Sequence, residues 1–370
     1  MKTIFLNILM LCTFFANAQK EKKAVVEPEE FIIIKMSKFP IADFPKKSIP
    51  VSDIRVIQVV RDSIRMGYAL KGMDGYVVTL KVAKPLTEVL QEQIKRMYKH
   101  GYKKEGAKIF WVVKDLRFGE KTAFMEYAYT RFNADAYISK DGNLFKKVCT
   151  IDTVFVTESG GDVTKWHGED IENAFRVLLK RTLLIGNDMP EQNTAEMTIE
   201  QITRQAKQQI EIPILTDFKY REGAYANFEE FLQNKPSITD YEPVVIAKKK
   251  IKFIKTGQND QKDTLGIWGL CKDGEIYKYY EESLIPIEKQ GTGFIISNYV
   301  KNTNRHNRNL FFFAFAGGIA GGLVGGAAVS LIANAAKNKL LLVKSIPYIT
   351  KPNKQPVASC IDIKTGELSF

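Results

Sequence analysis

The densest run of polar chemistry in the chain is Gly160-Gly161-Asp162-Val163-Thr164-Lys165-Trp166-His167-Gly168-Glu169-Asp170. An imidazole among carboxylates has the ingredients of an acid/base pair or of a fragment of a metal site. Asp162, His167 and Glu169 are the candidates for such a site. The same residues also suit the start of a helix. Asp162 or Thr164 would accept hydrogen bonds from free backbone amides, while Glu169 and Asp170 would occupy the positive first turn. We take this structural reading, so no catalytic, metal or cofactor residue is assigned and no enzyme is expected. His100 and His306 stand alone, Ser159-Gly160 lacks the flanking glycines of a G-x-S-x-G elbow, and no Walker, H-E-x-x-H or Rossmann pattern occurs. Arg61-Asp62 and Asp115-Leu116-Arg117 read as ion pairs at strand ends.

The elements around this run imply an α+β domain over 51–190. Ile54 to Val60 and Gly75 to Val82 read as strands. Pro85 opens a helix in which Leu86, Val89, Leu90, Ile94, Met97 and Tyr98 share one face, and Gly101 closes it. Long strands follow at Ala107 to Leu116, Thr122 to Ser139 and Leu144 to Thr157, the last two joined by Asp141-Gly142-Asn143, a hairpin-turn sequence. A second helix, Glu169 to Ile185, buries Ile171, Ala174, Phe175, Leu178, Leu179 and Leu183. The expected domain is a mainly antiparallel sheet with two helices covering one face. Residues 191–212 read as a connector helix with a thin stripe (Ile199, Ile202, Ala206, Ile210).

A β-rich domain is expected over 213–370. Tyr225, Phe228 and Phe231 form an aromatic cluster at helical spacing. Strands are expected at Ile246 to Lys255, Thr264 to Lys272, Glu275 to Tyr280, Leu284 to Gln290 and Phe294 to Val300. Further strands are expected at Leu340 to Ile349, Ser359 to Ile363 and Glu367 to Phe370. Lys272-Asp273-Gly274 is a turn.

The N-terminus reads as a signal peptide over 1–18: Lys2, an apolar run from Ile4 to Phe15, then the A-x-A pattern Ala16-Asn17-Ala18. Bulky Leu11 before Cys12 argues against lipidation. A mature chain from about Gln19 would begin with a linker to residue 50 and would be exported, to the periplasm or an envelope membrane. Cys149, Cys271 and Cys360 then remain. Their number is odd and their spacing wide, so they make neither a disulfide framework nor a C-x-x-C site; one bridge is conceivable, with no pair preferred. The formal net charge is +12. No nucleic-acid fold signature accompanies it, so nucleic acid is not an expected partner. For an exported protein, anionic lipid or glycan surfaces are the natural counterparts.

Leu310 to Ile332 carries no charge over 23 residues. As a helix it would be about 35 Å long, enough to cross a hydrocarbon core of about 30 Å. Gly317, Gly321 and Gly325 recur at four-residue spacing, and so do Gly318, Gly322 and Gly326. They would make one flat face open to close helix packing and self-association. Eleven Leu, Ile, Phe and Val residues favour insertion by about 3–7 kcal/mol in total. Six glycines cost about 1 kcal/mol each. A lone span is therefore marginal, and a helical hairpin, a partly inserted helix or a buried soluble helix compete with it. The spacing resembles the glycine-zipper segments of bacterial envelope proteins.

Two further resemblances follow from residue patterns. Val56-Ile57-Gln58-Val59-Val60-Arg61-Asp62, the helix from Pro85-Leu86 to Gly101, Asp115-Leu116-Arg117 and Ala134-Asp135-Ala136 together resemble the periplasmic domain of ABC-transport auxiliary lipoproteins over about Ser52 to Asn187. The lipobox of such proteins is missing here. Gly223-Ala224-Tyr225-x-x-Phe228-x-x-Phe231-x-x-Asn234-x-Pro236-Ser237, with Gly266 to Tyr280, resembles uncharacterised exported proteins of Bacteroidota. The second resemblance supplies no activity. The expectation is a non-enzymatic envelope adaptor or accessory subunit that binds protein partners or its own copies and sits on a membrane through Leu310 to Ile332. The competing expectation is an envelope enzyme or small-ligand-binding protein acting near Asp162, His167 and Glu169.

Overall fold

The first half of the chain alternates strands and helices. β1 (Phe31–Ile33), β2 (Val51–Gln58), β3 (Gly67–Lys71) and β4 (Tyr76–Lys81) precede helix α1 (Leu86–Met97). Three long strands follow, β5 (Ala107–Thr122), β6 (Glu126–Ser139) and β7 (Lys146–Ser159), and then helix α2 (Trp166–Asp188). The fold is mixed α+β. It comes from a computed structural model that describes residues 30–36, 49–72, 76–122, 125–188, 195–208, 212–247, 250–256, 264–296, 341–343, 346, 349, 351 and 354–370. The expected signal over 1–18, most of the linker over 19–50 and the segment 310–332, with Gly317, Gly318, Gly321, Gly322, Gly325 and Gly326, lie outside the described residues.

Seven strands make the first sheet in the order β1-β4-β3-β5-β6-β7, with β2 also paired to β5. β5, β6 and β7 form an antiparallel meander, whereas β1 runs parallel to β4 and β2 parallel to β5. β2 and β3 lie end to end along one edge of β5. β2 pairs with Ala107 to Val113, and Gly67 of β3 meets Phe118. At Gly67 φ is 139°, and a Cβ would fall 1.8 Å from the Phe118 carbonyl oxygen, so only glycine fits this junction.

Lys114 is an extra residue in β5 relative to β6, and it decides what each face presents. Before it, Ile109, Trp111 and Val113 face the helices. After it the alternation slips by one, and Leu116, Phe118 and Glu120 take that side. α1 buries Leu86, Leu90, Ile94 and Met97, and α2 buries Ile171, Ala174, Phe175, Leu178, Leu179 and Leu183. Phe175 stacks on Trp111 at 5.6 Å and meets Phe132 edge-on at 5.5 Å. At about 1.5–3 kcal/mol for each buried large apolar side chain, this layer is the main anchor of both helices.

Helix α3 (Ile199–Lys207) is shorter than the stretch expected to connect two domains, and it is docked rather than free. Ile202 is buried with Phe110, Val112, Tyr137 and Phe145 on the sheet face opposite α1 and α2. Thr198 and Gln201 close its N-terminus in a reciprocal capping box.

Beyond two short helices, α4 (Pro213–Thr216) and α5 (Phe228–Leu232), the second half is β-rich. Its strands are β8 (Gly223–Tyr225), β9 (Tyr241–Ala247), β10 (Lys250–Lys255), β11 (Gly269–Lys272), β12 (Glu275–Tyr280), β13 (Ser283–Gln290), β14 (Gly293–Ile296), β15 (Cys360–Ile361) and β16 (Leu368–Ser369). The second sheet runs β16-β15-β14-β13-β12-β11-β8, entirely antiparallel, and β9 and β10 form a separate hairpin. The single strand expected over 246–255 is this hairpin. Of the stretch 340–349, where a strand is expected, only 341–343, 346 and 349 are described, and among them Leu342 bridges to Val357 and Ile346 to Ile349.

The two sheets share a core. Tyr127 and Tyr129 of β6 lie among the buried residues of the second sheet, and Phe370 meets Tyr129 edge-on at 6.1 Å. The Tyr68 hydroxyl donates to the Val357 carbonyl (3.0 Å) and accepts from its amide (2.9 Å). Phe31–Phe370 form one compact unit. Within it, β14 and β15 are antiparallel neighbours, pairing Phe294 with Ile361 and Ile295 with Cys360. Both ends of the intervening residues 297–359 therefore join the same end of one sheet. Among the described residues, no helix is long and apolar enough to cross a membrane.

Candidate functional site

The polar run 160–170 sits where β7 turns into α2. Asp162 Oδ1 accepts from the Thr164 amide (2.9 Å), and Lys71 Nζ reaches Asp162 Oδ2 (2.6 Å) and Thr164 Oγ1 (2.7 Å). Partial burial raises the Asp162 pKa, but the bonds from Lys71 and Thr164 outweigh it and hold the carboxyl below its ordinary value. This is a turn brace: an exposed carboxylate, already engaged, that organises the loop before α2.

His167 points the other way. It is fully buried, with its ring 5.2 Å from that of Phe118. Nε2 lies 3.3 Å from Glu120 Oε1, and Nδ1 lies 3.2 Å from Thr130 Oγ1. The Thr130 hydroxyl also donates to Asp170 Oδ2 (3.0 Å), whose Oδ1 accepts from the Thr157 hydroxyl (3.0 Å). The second oxygen of Glu120 accepts the Leu70 amide at 2.7 Å. The chain Leu70–Glu120–His167–Thr130–Asp170–Thr157 thus ties the sheet to the first turn of α2. Burial raises the Asp170 pKa, and the Thr130 and Thr157 hydroxyls and nearby His167 only partly offset this.

The structure therefore separates the three candidates. Asp162 belongs to the surface loop, Glu169 is exposed on α2, and His167 is buried with Glu120 and Asp170. Helix geometry explains the split: a residue three positions from His167 shares its side of the helix, whereas one two positions away does not. Glu120 and Thr130 come from β5 and β6, far from α2 in sequence, and Glu120 faces the helices because of the Lys114 bulge. Gly168 lets the chain after β1 approach α2 closely, since a Cβ there would lie 2.3 Å from the Lys35 carbonyl oxygen.

A second buried polar cluster lies where the sheets meet. Asp115 Oδ2 accepts from Arg131 Nε (2.9 Å) and lies 3.7 Å from Arg61 Nη2. Arg61 Nη1 donates to the Ile361 carbonyl, and Arg65 pairs with both Asp62 (3.1 Å) and Glu288. Arg117 Nη1 donates to the Asp62 and Arg65 carbonyls at 2.9 and 2.6 Å. Arg61, Arg65, Asp62 and Asp115 are thus spent on holding the second sheet and the 61–66 loop against the first.

Among the described residues no group of three or more His, Cys, Asp or Glu side chains is placed to hold a metal ion. Cys149, Cys271 and Cys360 are all free. Burial and the neighbouring Glu222 push the Cys271 thiol up to about 11. Among the described residues, the depression beside α3 is lined by residues between Ile199 and Gln208.

No family model and no curated protein sequence matches the chain. A solved structure of a Xanthomonas campestris protein, described by the family model DUF330, is similar over 42% of this chain and 96% of its own. The identity is 13% and the TM-score 0.29, a likeness too slight to carry an argument.

Proposed function

We propose that the chain is an exported envelope protein acting without catalysis, as an adaptor or accessory binding protein held at a membrane. The observation that carries this reading is the pairing of β14 with β15. Between them the chain makes an excursion containing the uncharged stretch 310–332, and it returns beside the strand it left. A single crossing would pull apart strands that are hydrogen-bonded neighbours. Crossing twice would need about 40 apolar residues, and the uncharged stretch has 23. Attachment from one side of a bilayer satisfies both constraints. The glycine rows then offer a close-packing face to a protein partner or a second copy, and the +12 charge suits an anionic lipid or glycan surface.

The buried chain from Glu120 to Thr157 supports a structural role for His167, because each polar group already has a protein partner. Fractionation of cells expressing the whole chain and a variant lacking 310–332 tests the reading. The whole chain should sediment with membranes and resist a salt wash, and the deletion should move to the soluble fraction. A whole chain that stays soluble would overturn it.

A further inference from the structure

The β9–β10 hairpin carries apolar residues where a surface element should be polar. Val245 is 71% exposed and the adjacent Ile246 is 37% exposed. In regular alternation one of two neighbours turns inward. Here the register shifts between Lys250 and Ile251, leaving Ile246 as an extra residue, and both side chains reach solvent. The base of the hairpin is fastened. Phe253 is buried and meets Tyr279 at 5.3 Å, and Tyr279 donates its hydroxyl to the Ile251 carbonyl at 2.8 Å.

The register locates the tip. The Ile251 amide donates to the Glu282 carbonyl (2.7 Å), and Lys250 Nζ pairs with the Glu282 carboxylate (2.6 Å), so the hairpin stands over the β12–β13 turn. β13 runs away from that turn, β14 runs back toward it, and β15 leaves from it. The apolar tip and both ends of the 297–359 excursion therefore share one end of the second sheet. Lys250 and Lys252 both reach the Glu282 carboxylate, and Lys250, with its side chain still 58% exposed, lies beside the apolar pair. An apolar projection flanked by lysine is suited to the boundary between acyl chains and phosphate headgroups.

We infer that the β9–β10 tip is a lipid-contacting element, in which Val245 and Ile246 enter the acyl boundary of a phospholipid leaflet and Lys250 meets its headgroups. This rests on the membrane reading above and names the surface that faces the bilayer. The test is flotation of the whole mature chain with vesicles of equal parts phosphatidylglycerol and phosphatidylethanolamine. The comparison variants are Val245→Ser/Ile246→Ser and a chain lacking 310–332. The serine pair should weaken partitioning by about tenfold or more, since even partial burial of two such side chains is worth that factor. Its thermal unfolding should stay unchanged, because both side chains are exposed. In a Val245→Trp variant, added vesicles should shift emission to the blue, and brominated lipid should quench it. If the serine pair floats as well as the parent while the deletion does not, the tip inference fails and the membrane reading stands. If the parent itself does not float, or self-associates without taking up lipid, both fail.

Discussion

Replacing Asp170 with Asn isolates the energetic role of the buried polar chain. Both Asp170 oxygens accept from threonine hydroxyls, and burial raises its pKa above the ordinary aspartate value. The folded protein therefore holds this proton more tightly than the unfolded chain does. The stability contributed by the group is complete below the ordinary aspartate pKa and is lost as pH rises through the raised folded value. Each unit between the two values amounts to about 1.4 kcal/mol. Asparagine keeps the shape without the charge: its oxygen accepts from Thr157, its amide donates to Thr130, and the Thr130 hydrogen becomes free for His167 Nδ1. Asp170→Asn should match the parent within about 1 kcal/mol near pH 4 and gain on it steadily as pH rises toward 8. Urea unfolding of both proteins across that range measures the difference. Comparing the two cancels carboxylates such as Asp135 and Asp141, whose lowered pKa values tilt stability the opposite way. A variant less stable by several kcal/mol at every pH, or a difference flat with pH, would refute the reasoning.

Other perturbations reach the remaining contacts. Gly168→Ala puts a methyl group 2.3 Å from the Lys35 carbonyl oxygen and should cost about 1–3 kcal/mol, read as a lower urea midpoint. Asp115→Ala leaves Arg61, Arg117 and Arg131 without their shared carboxylate; a loss of about 3–5 kcal/mol is expected, with faster amide exchange in β15, to which Arg61 bonds. Burial pushes Lys278, which sits 4.3 Å over the Trp268 ring, down to about 8, so the fold penalises the ammonium that still predominates at neutral pH. Lys278→Met should stabilise the protein by about 1–3 kcal/mol near neutral pH, and thermal melts should show that gain shrinking as pH rises through the folded value. Cys271 and Cys360 are buried, so a thiol reagent should label them only on unfolding.

Much of the framework can be read from residue patterns, because it follows local periodicity. The apolar faces of α1 and α2 contain Leu86, Leu90, Ile94, Phe175 and Leu179, all buried as the helical spacing implies. The Asp273-Gly274 turn has positive φ at both residues, as its sequence suggests. What is not local is hidden. β3 is short, and its junction with β5 rests on a backbone contact at Gly67 that no side-chain pattern signals. The β9–β10 hairpin is hidden because the sequence from Tyr241 to Lys255 lacks the glycine or asparagine that usually marks one. In the polar run, adjacency in sequence groups Asp162 and Glu169 with His167, whereas helical geometry selects Asp170. Thr130 joins from β6 by ordinary alternation, and Glu120 joins only because a one-residue bulge in β5 turns it toward the helices. The i,i+3 spacing of His167 and Asp170 is the one signal from which a portion of this cluster can be found.

One-sided attachment through 310–332 is tested most directly by trypsin acting on the protein bound to sealed vesicles. Lys301, Arg305 and Arg308 precede the uncharged stretch, and Lys337 and Lys339 follow it. Cleavage on both flanks from the outside, before any detergent is added, is the predicted result. Protection of one flank until the vesicles are opened would mean that the chain crosses the bilayer once, and the pairing of β14 with β15 could not then hold in the membrane-bound protein.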